Sequence, residues 1–257
     1  MPEKRFFLIC IAAAFLAGML CSCSLFVVRP FNPNDSAVSR YFPHNRNARF
    51  TYRITLDDKV TERVFQWKGA DEAFGKKVHI LTDSKGAIKA YQWTPREVHL
   101  RGISIQNQMK PTYYKGDNAC LAAPLIEGRG WRIRAFMETE TTKIRQTGMA
   151  RVEKVGKCRV EAGEFDAVKI FYDITAEYQV KKTGEKSSVL AQYSIWYGEG
   201  IGALKQTGTS FIEKENRVIH LEQELIKFET REFGKAREDK SSEETPPPME
   251  NPAFIVF

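Results

Sequence analysis

Side chains that could do chemistry are few in this chain, and they are scattered. Glu161, Glu164 and Asp166 gather around the turn Ala162-Gly163-Glu164-Phe165, and paired carboxylates are what glycoside hydrolysis requires. Carboxylates crowded at a turn are more commonly solvated, however, and nothing beside them supports hydrolysis. The four histidines, His44, His79, His99 and His220, stand apart from one another, so neither a nucleophile with its base nor a metal set is legible. Ser194 and Ser210 lack the G-x-S-x-G setting of an activated serine. Gly198, Gly200 and Gly202 alternate on a spacing that opens no helix and cradles no phosphate. Cys120 and Cys158 have no C-x-x-C partner, which argues against zinc. They read as one disulfide or as two buried thiols. The expectation is a non-enzymatic protein with no catalytic residue, no metal and no cofactor.

The N-terminus carries the sharper signal. Lys4 and Arg5 precede an apolar run from Phe6 to Leu20, which is short for a membrane span and typical of an exported leader. At its end stands Leu20-Cys21-Ser22-Cys23, with an aliphatic residue three before Cys23 and a small one directly before it. This resembles a bacterial lipoprotein signal with Cys23 as the lipidated residue. Cys21 fits less well, because Gly18 and Leu20 would take those two positions; an ordinary secretory signal cut nearby is the other reading. The resemblance implies anchoring through acyl chains such as palmitate, which together hold far more firmly than one chain. With Ser24 following the cysteine, it implies the outer membrane, facing the periplasm, in a cell that has one. Removal of residues 1–22 takes Glu3, Lys4 and Arg5, a net +1 of the total +7, and leaves +6. Such a balance could favour anionic headgroups, lipopolysaccharide phosphates or acidic glycans, although interspersed charge also serves solubility. Nucleic acid is disfavoured by location more than by charge, and no long basic stripe occurs in the chain.

The rest must position whatever the anchor presents. From Val168 to Tyr178 and again from Val189 to Tyr197, apolar and polar residues alternate with a period of two, the mark of strands with one buried face. The Lys181–Lys186 segment between them, with Gly184, predicts a long β-hairpin. Similar runs start at Phe50, Val60, Lys77, Ile88, Glu97, Trp131, Thr141, Ala203 and Arg217, separated by turn formers. No segment repeats apolar residues at helical spacing over three turns. The predicted fold is all-β, a single curved antiparallel sheet or half-open barrel of about ten to twelve strands with little helix. The chain divides into a signal peptide (1–22), a tether (23–40), one antiparallel β domain (41–233) and a charged, Pro-rich tail (234–257) expected to be disordered. The tail ends in the apolar Ala253-Phe254-Ile255-Val256-Phe257, which is inert or could add to a sheet edge.

Three landmarks occur in order: Ala123-Pro124-Leu125 with Gly128 and Trp131, then Val160 to Ala167, then Trp196-Tyr197 with Gly200-Ile201-Gly202. Their order and spacing resemble a broad group of bacterial periplasmic lipoproteins of uncharacterised function, distantly similar to the outer-membrane lipoprotein carriers. That resemblance covers roughly residues 41–228 and implies a curved sheet or half-open barrel. The carriers cover the mouth of the sheet with helices, for which this chain has no candidate, so their transport role does not carry over. Aromatic residues on predicted strands, Trp93, Trp131, Tyr172, Tyr178, Tyr193, Trp196 and Tyr197, could line a concave trough for a lipid or other hydrophobic ligand. They could equally fill the core. The alternative is a structural or assembly lipoprotein that scaffolds other envelope proteins.

Overall fold

The computed structural model describes residues 38–43, 47–71, 78–84, 86–94, 96–104 and 112–230. The signal peptide, Cys23, most of the tether, His44 and the C-terminal tail lie outside them. Thirteen strands make up nearly all of the described chain: β1 (Arg49–Leu56), β2 (Lys59–Asp71), β3 (Val78–Asp83), β4 (Ile88–Trp93), β5 (Glu97–Ser104), β6 (Thr112–Asp117), β7 (Ala119–Ala122), β8 (Gly130–Glu138), β9 (Thr142–Val160), β10 (Gly163–Val180), β11 (Lys186–Gly198), β12 (Gly202–Ile212) and β13 (Arg217–Glu229). Two 3₁₀ turns, Ser39–Tyr41 and Glu213–Glu215, complete it.

Each strand pairs antiparallel with its neighbour in sequence, except that β8 follows β6 in space. The last strand returns to the first, with Arg49 opposite Glu229 and Leu56 opposite Leu221. Twelve strands thus close an up-and-down barrel, in which an even number is what lets the two chain ends meet antiparallel. β7 is the additional strand, laid against Glu97–His99 of β5, while β6 pairs only at Gly102 and Ile103. The predicted all-β architecture is present, closed rather than half-open. Closure leaves no long unpaired edge.

The predicted hairpin is β10–β11, and Tyr172 lies directly opposite Tyr193. It is longer than the alternation implied because β9 continues it without a break for 19 residues. Strands of that length must bend to close, and bulges supply the bend. One sits between Lys169 and Ile170 where β10 faces β9, and another between Trp196 and Tyr197 where β11 faces β12.

Eight-stranded barrels are just filled by their own side chains, whereas twelve strands enclose more space. Here large aromatics and a chain segment occupy it. Residues 38–43 enter one end: Val38 and Phe42 retain no exposed surface. The Phe42 ring stacks on Tyr197 at 6.0 Å and meets Tyr91 at 5.9 Å and Trp93 edge-on at 6.1 Å. The Gly200 N–H donates to the Arg40 carbonyl, and Arg40 pairs with Glu199, tying this plug to the β11–β12 turn. Val38–Arg40, placed in the tether by composition, therefore belong to the barrel.

At the opposite end, the β1–β2 turn is fastened to β13. Asp57 has φ 51°, a left-handed conformation that Asp tolerates. Its carboxylate accepts the His220 N–H at 2.9 Å and the Arg217 guanidinium at 2.7 Å. Burial alone would raise its pKa, but these two donors outweigh it and hold the group below 3.8. A depressed carboxylate contributes stability above its unfolded pKa and loses it as pH falls through the folded one. Asp57→Asn is therefore expected to cost about 1 kcal/mol at pH 7, where exposure limits the pair. The difference in thermal midpoint from the parent should shrink below pH 4; a constant difference from pH 7 to pH 3 would remove the carboxylate from the account.

Candidate functional site

The predicted trough residues divide between two faces. Tyr172, Tyr178, Tyr193 and Tyr197 alternate inward and are buried. The Tyr172 and Tyr193 rings stack at 4.8 Å. The Tyr172 hydroxyl donates to the Cys120 carbonyl at 2.5 Å and lies 3.0 Å from the Tyr197 hydroxyl. Burial raises the pKa of all four tyrosines far above 10, so they stay neutral donors at any physiological pH. Trp93 stacks on His79 at 3.7 Å near the plug, and the Trp131 indole donates to the Ala119 carbonyl at 3.0 Å. Trp196, consecutive with Ile195 and Tyr197 in a strand, faces the other way. It sits between Lys169 and Lys205 on neighbouring strands. Tyr172, Tyr193 and Tyr197 thus contact one another rather than lining one open trough, and half-buried Trp196 packs at the margin of the core.

The other candidate groups fall into ordinary structural roles. Glu161 is paired with Arg53 at 2.7 Å, and Glu164 and Asp166 flank Lys157 at 3.6 and 3.4 Å, all on the surface. Buried His99 lies 2.9 Å from Glu97 and 3.5 Å from Asp117. Among the described residues no group of three or more His, Cys, Asp or Glu could hold a metal. Cys120 and Cys158 do not bridge: Cys158 is a free, buried thiol whose pKa burial pushes up to about 11. Distance explains it. Cys158 lies opposite Phe165, whereas Cys120 is reached by Tyr172, seven residues or roughly 23 Å further along β10. A disulfide tolerates Cα atoms no more than about 7 Å apart.

A second surface was not visible in the linear sequence. On the outer wall, Lys115, Phe136, Arg145, Glu177 and Ser188 lie opposite one another in a row across β6, β8, β9, β10 and β11. Arg134 flanks this row on one side and Lys143 and Lys186 on the other. The Glu213–Glu215 turn closes one end, where Ser188 donates to the Glu213 carboxylate. Together they border an open groove of about 1240 Å³. Five cations meet two carboxylates there, and among the described residues none of the five is in an ion pair. Arg134 comes from β8, and the other four cations come from three more strands, β6, β9 and β11.

Fold and surface together define a closed antiparallel β-barrel with a packed aromatic interior and one basic groove. Among solved structures, the chain is similar to a candidate lipoprotein from Parabacteroides distasonis (12% identity, TM-score 0.44, covering 74% of this chain and 98% of that one). It is similar also to a candidate exported protein with a YmcC-like fold from Bacteroides fragilis (15%, 0.44, the same coverage). A third is the hypothetical lipoprotein YmcC from Escherichia coli (9%, 0.31, 72% and 88%). No family model and no curated protein matches the sequence.

Proposed function

We propose that this protein is a cell-envelope lipoprotein, anchored through Cys23, that acts as a structural or assembly body rather than as an enzyme or a carrier of hydrophobic ligands. One observation carries the choice: Phe42, from the segment that follows the anchor, packs where the end of a ligand chain would lie, against Tyr91, Trp93 and Tyr197. A lipid entering there would have to displace a docked part of the protein itself. The same segment joins lipid anchor to barrel through the Gly200–Arg40 hydrogen bond, so the barrel is held to the membrane by a packed root. In a cell with two membranes, the outer one is the expected site.

The test is native mass spectrometry of the chain purified without residues 1–23. A single apo mass, unchanged after incubation with palmitate, is the expected result. Stoichiometric co-purified lipid would favour the hydrophobic-ligand reading. Failure of Cys23→Ala to abolish metabolic labelling by palmitate would overturn the anchoring.

A further inference from the structure

We infer that the outer groove across β6, β8, β9, β10 and β11 is a binding site for an acidic glycan, a carboxylate-bearing chain of sugars. Charge argues first: Lys115, Arg134, Lys143, Arg145 and Lys186 outnumber the carboxylates near them, Glu177 and Glu213 in the groove and Glu138 beside Lys143 and Lys115, and none of the five cations is in an ion pair among the described residues. A surface that merely kept the protein soluble would intersperse the signs, as the rest of this barrel does with pairs such as Lys169–Glu153 and Lys205–Glu222.

Chemistry narrows the occupant. Four strand-to-strand steps of about 4.8 Å make the row roughly 19 Å long, the reach of several linked units rather than of one small anion. The cations supply donors for carboxylates. Glu177, Glu213, Thr147 and Gln179 supply acceptors for hydroxyls, and Phe136 offers a half-buried ring against which the apolar face of a sugar can lie. Bare phosphate chains have no use for those acceptors, which repel them.

Position narrows it again. The plug enters beside the β11–β12 turn, whereas the groove reaches Ser188, ten residues along β11 from Gly198. That is roughly 33 Å of strand. The groove therefore lies toward the end of the barrel remote from the root, where a polymer outside the anchoring membrane is nearer than that membrane's own headgroups. The argument takes the envelope location from the preceding reading and nothing else.

The experiment uses the full chain in neutral detergent and a fluorescent oligogalacturonate of about six units, followed by anisotropy. Binding is expected, with neutral dextran inert. The double variant Arg134→Glu/Arg145→Glu should weaken it at least tenfold, whereas Lys154→Glu/Arg159→Glu, an equal charge change elsewhere on β9, should leave it within twofold. Equal losses from the two pairs would overturn the site, as would absence of binding in the parent. Single-stranded DNA or phosphatidylglycerol vesicles that bind more tightly than oligogalacturonate, with the same loss on reversal, would overturn the ligand class. Because binding is read in detergent, it is independent of whether Cys23 is acylated.

Discussion

Gly208→Val is expected to lower the melting temperature by roughly 6–12 °C, the shift that about 3 kcal/mol produces in a domain of this size. A Cβ at Gly208 would lie 2.3 Å from the Tyr193 Cβ and 2.5 Å from the Gln192 carbonyl oxygen. Neither atom is the far end of a flexible side chain. Gly208 is opposite Tyr193 in the β11–β12 register, and its missing side chain lets that tyrosine stack on Tyr172. Restoring space requires β11 and β12 to part or Tyr193 to leave its rotamer, and either disturbs the interior aromatic cluster. Gly184→Ala makes the contrast: nothing lies near its Cβ, and its cost comes only from φ +71°, about 1 kcal/mol. If the two variants melt together, close approach is not what Gly208 provides.

Phe42→Ala tests the plug. Truncating a fully buried phenylalanine typically costs about 3–5 kcal/mol. Here the loss cannot exceed the free energy with which residues 38–43 dock, because the segment can leave while the barrel stays closed. The expected result is a lowered thermal midpoint together with new binding of an apolar fluorescent dye as Tyr91, Trp93 and Tyr197 become accessible. An unchanged midpoint with no dye binding would show that the segment contributes nothing to holding the interior. A variant that gained palmitate binding would in turn identify the plug as the element that denies the barrel a hydrophobic ligand.

Much of the local structure was written in the chain. The alternation of Val168 to Tyr178 and of Val189 to Tyr197 identified the central hairpin and its buried face. It also placed Trp196 and Tyr197 on opposite faces, so a trough containing both was inconsistent with their adjacency. The runs starting at Ala203 and Arg217 are β12 and β13, joined by the Glu213–Glu215 turn. The anchor at Cys23 and the tail ending in Phe257 lie outside the described residues and stand as the sequence left them.

By itself the sequence determined that this protein is built of two-faced strands joined by short turns, because the pleat of the backbone turns alternation directly into an inside and an outside. Only the tertiary structure decided that β1 meets β13, that residues 38–43 dock in the end of the cylinder, that Cys120 and Cys158 stand too far apart to join, and that cations from four strands share one groove. Each of these joins residues distant in the chain, and their meeting is fixed by register and closure. No local preference encodes either.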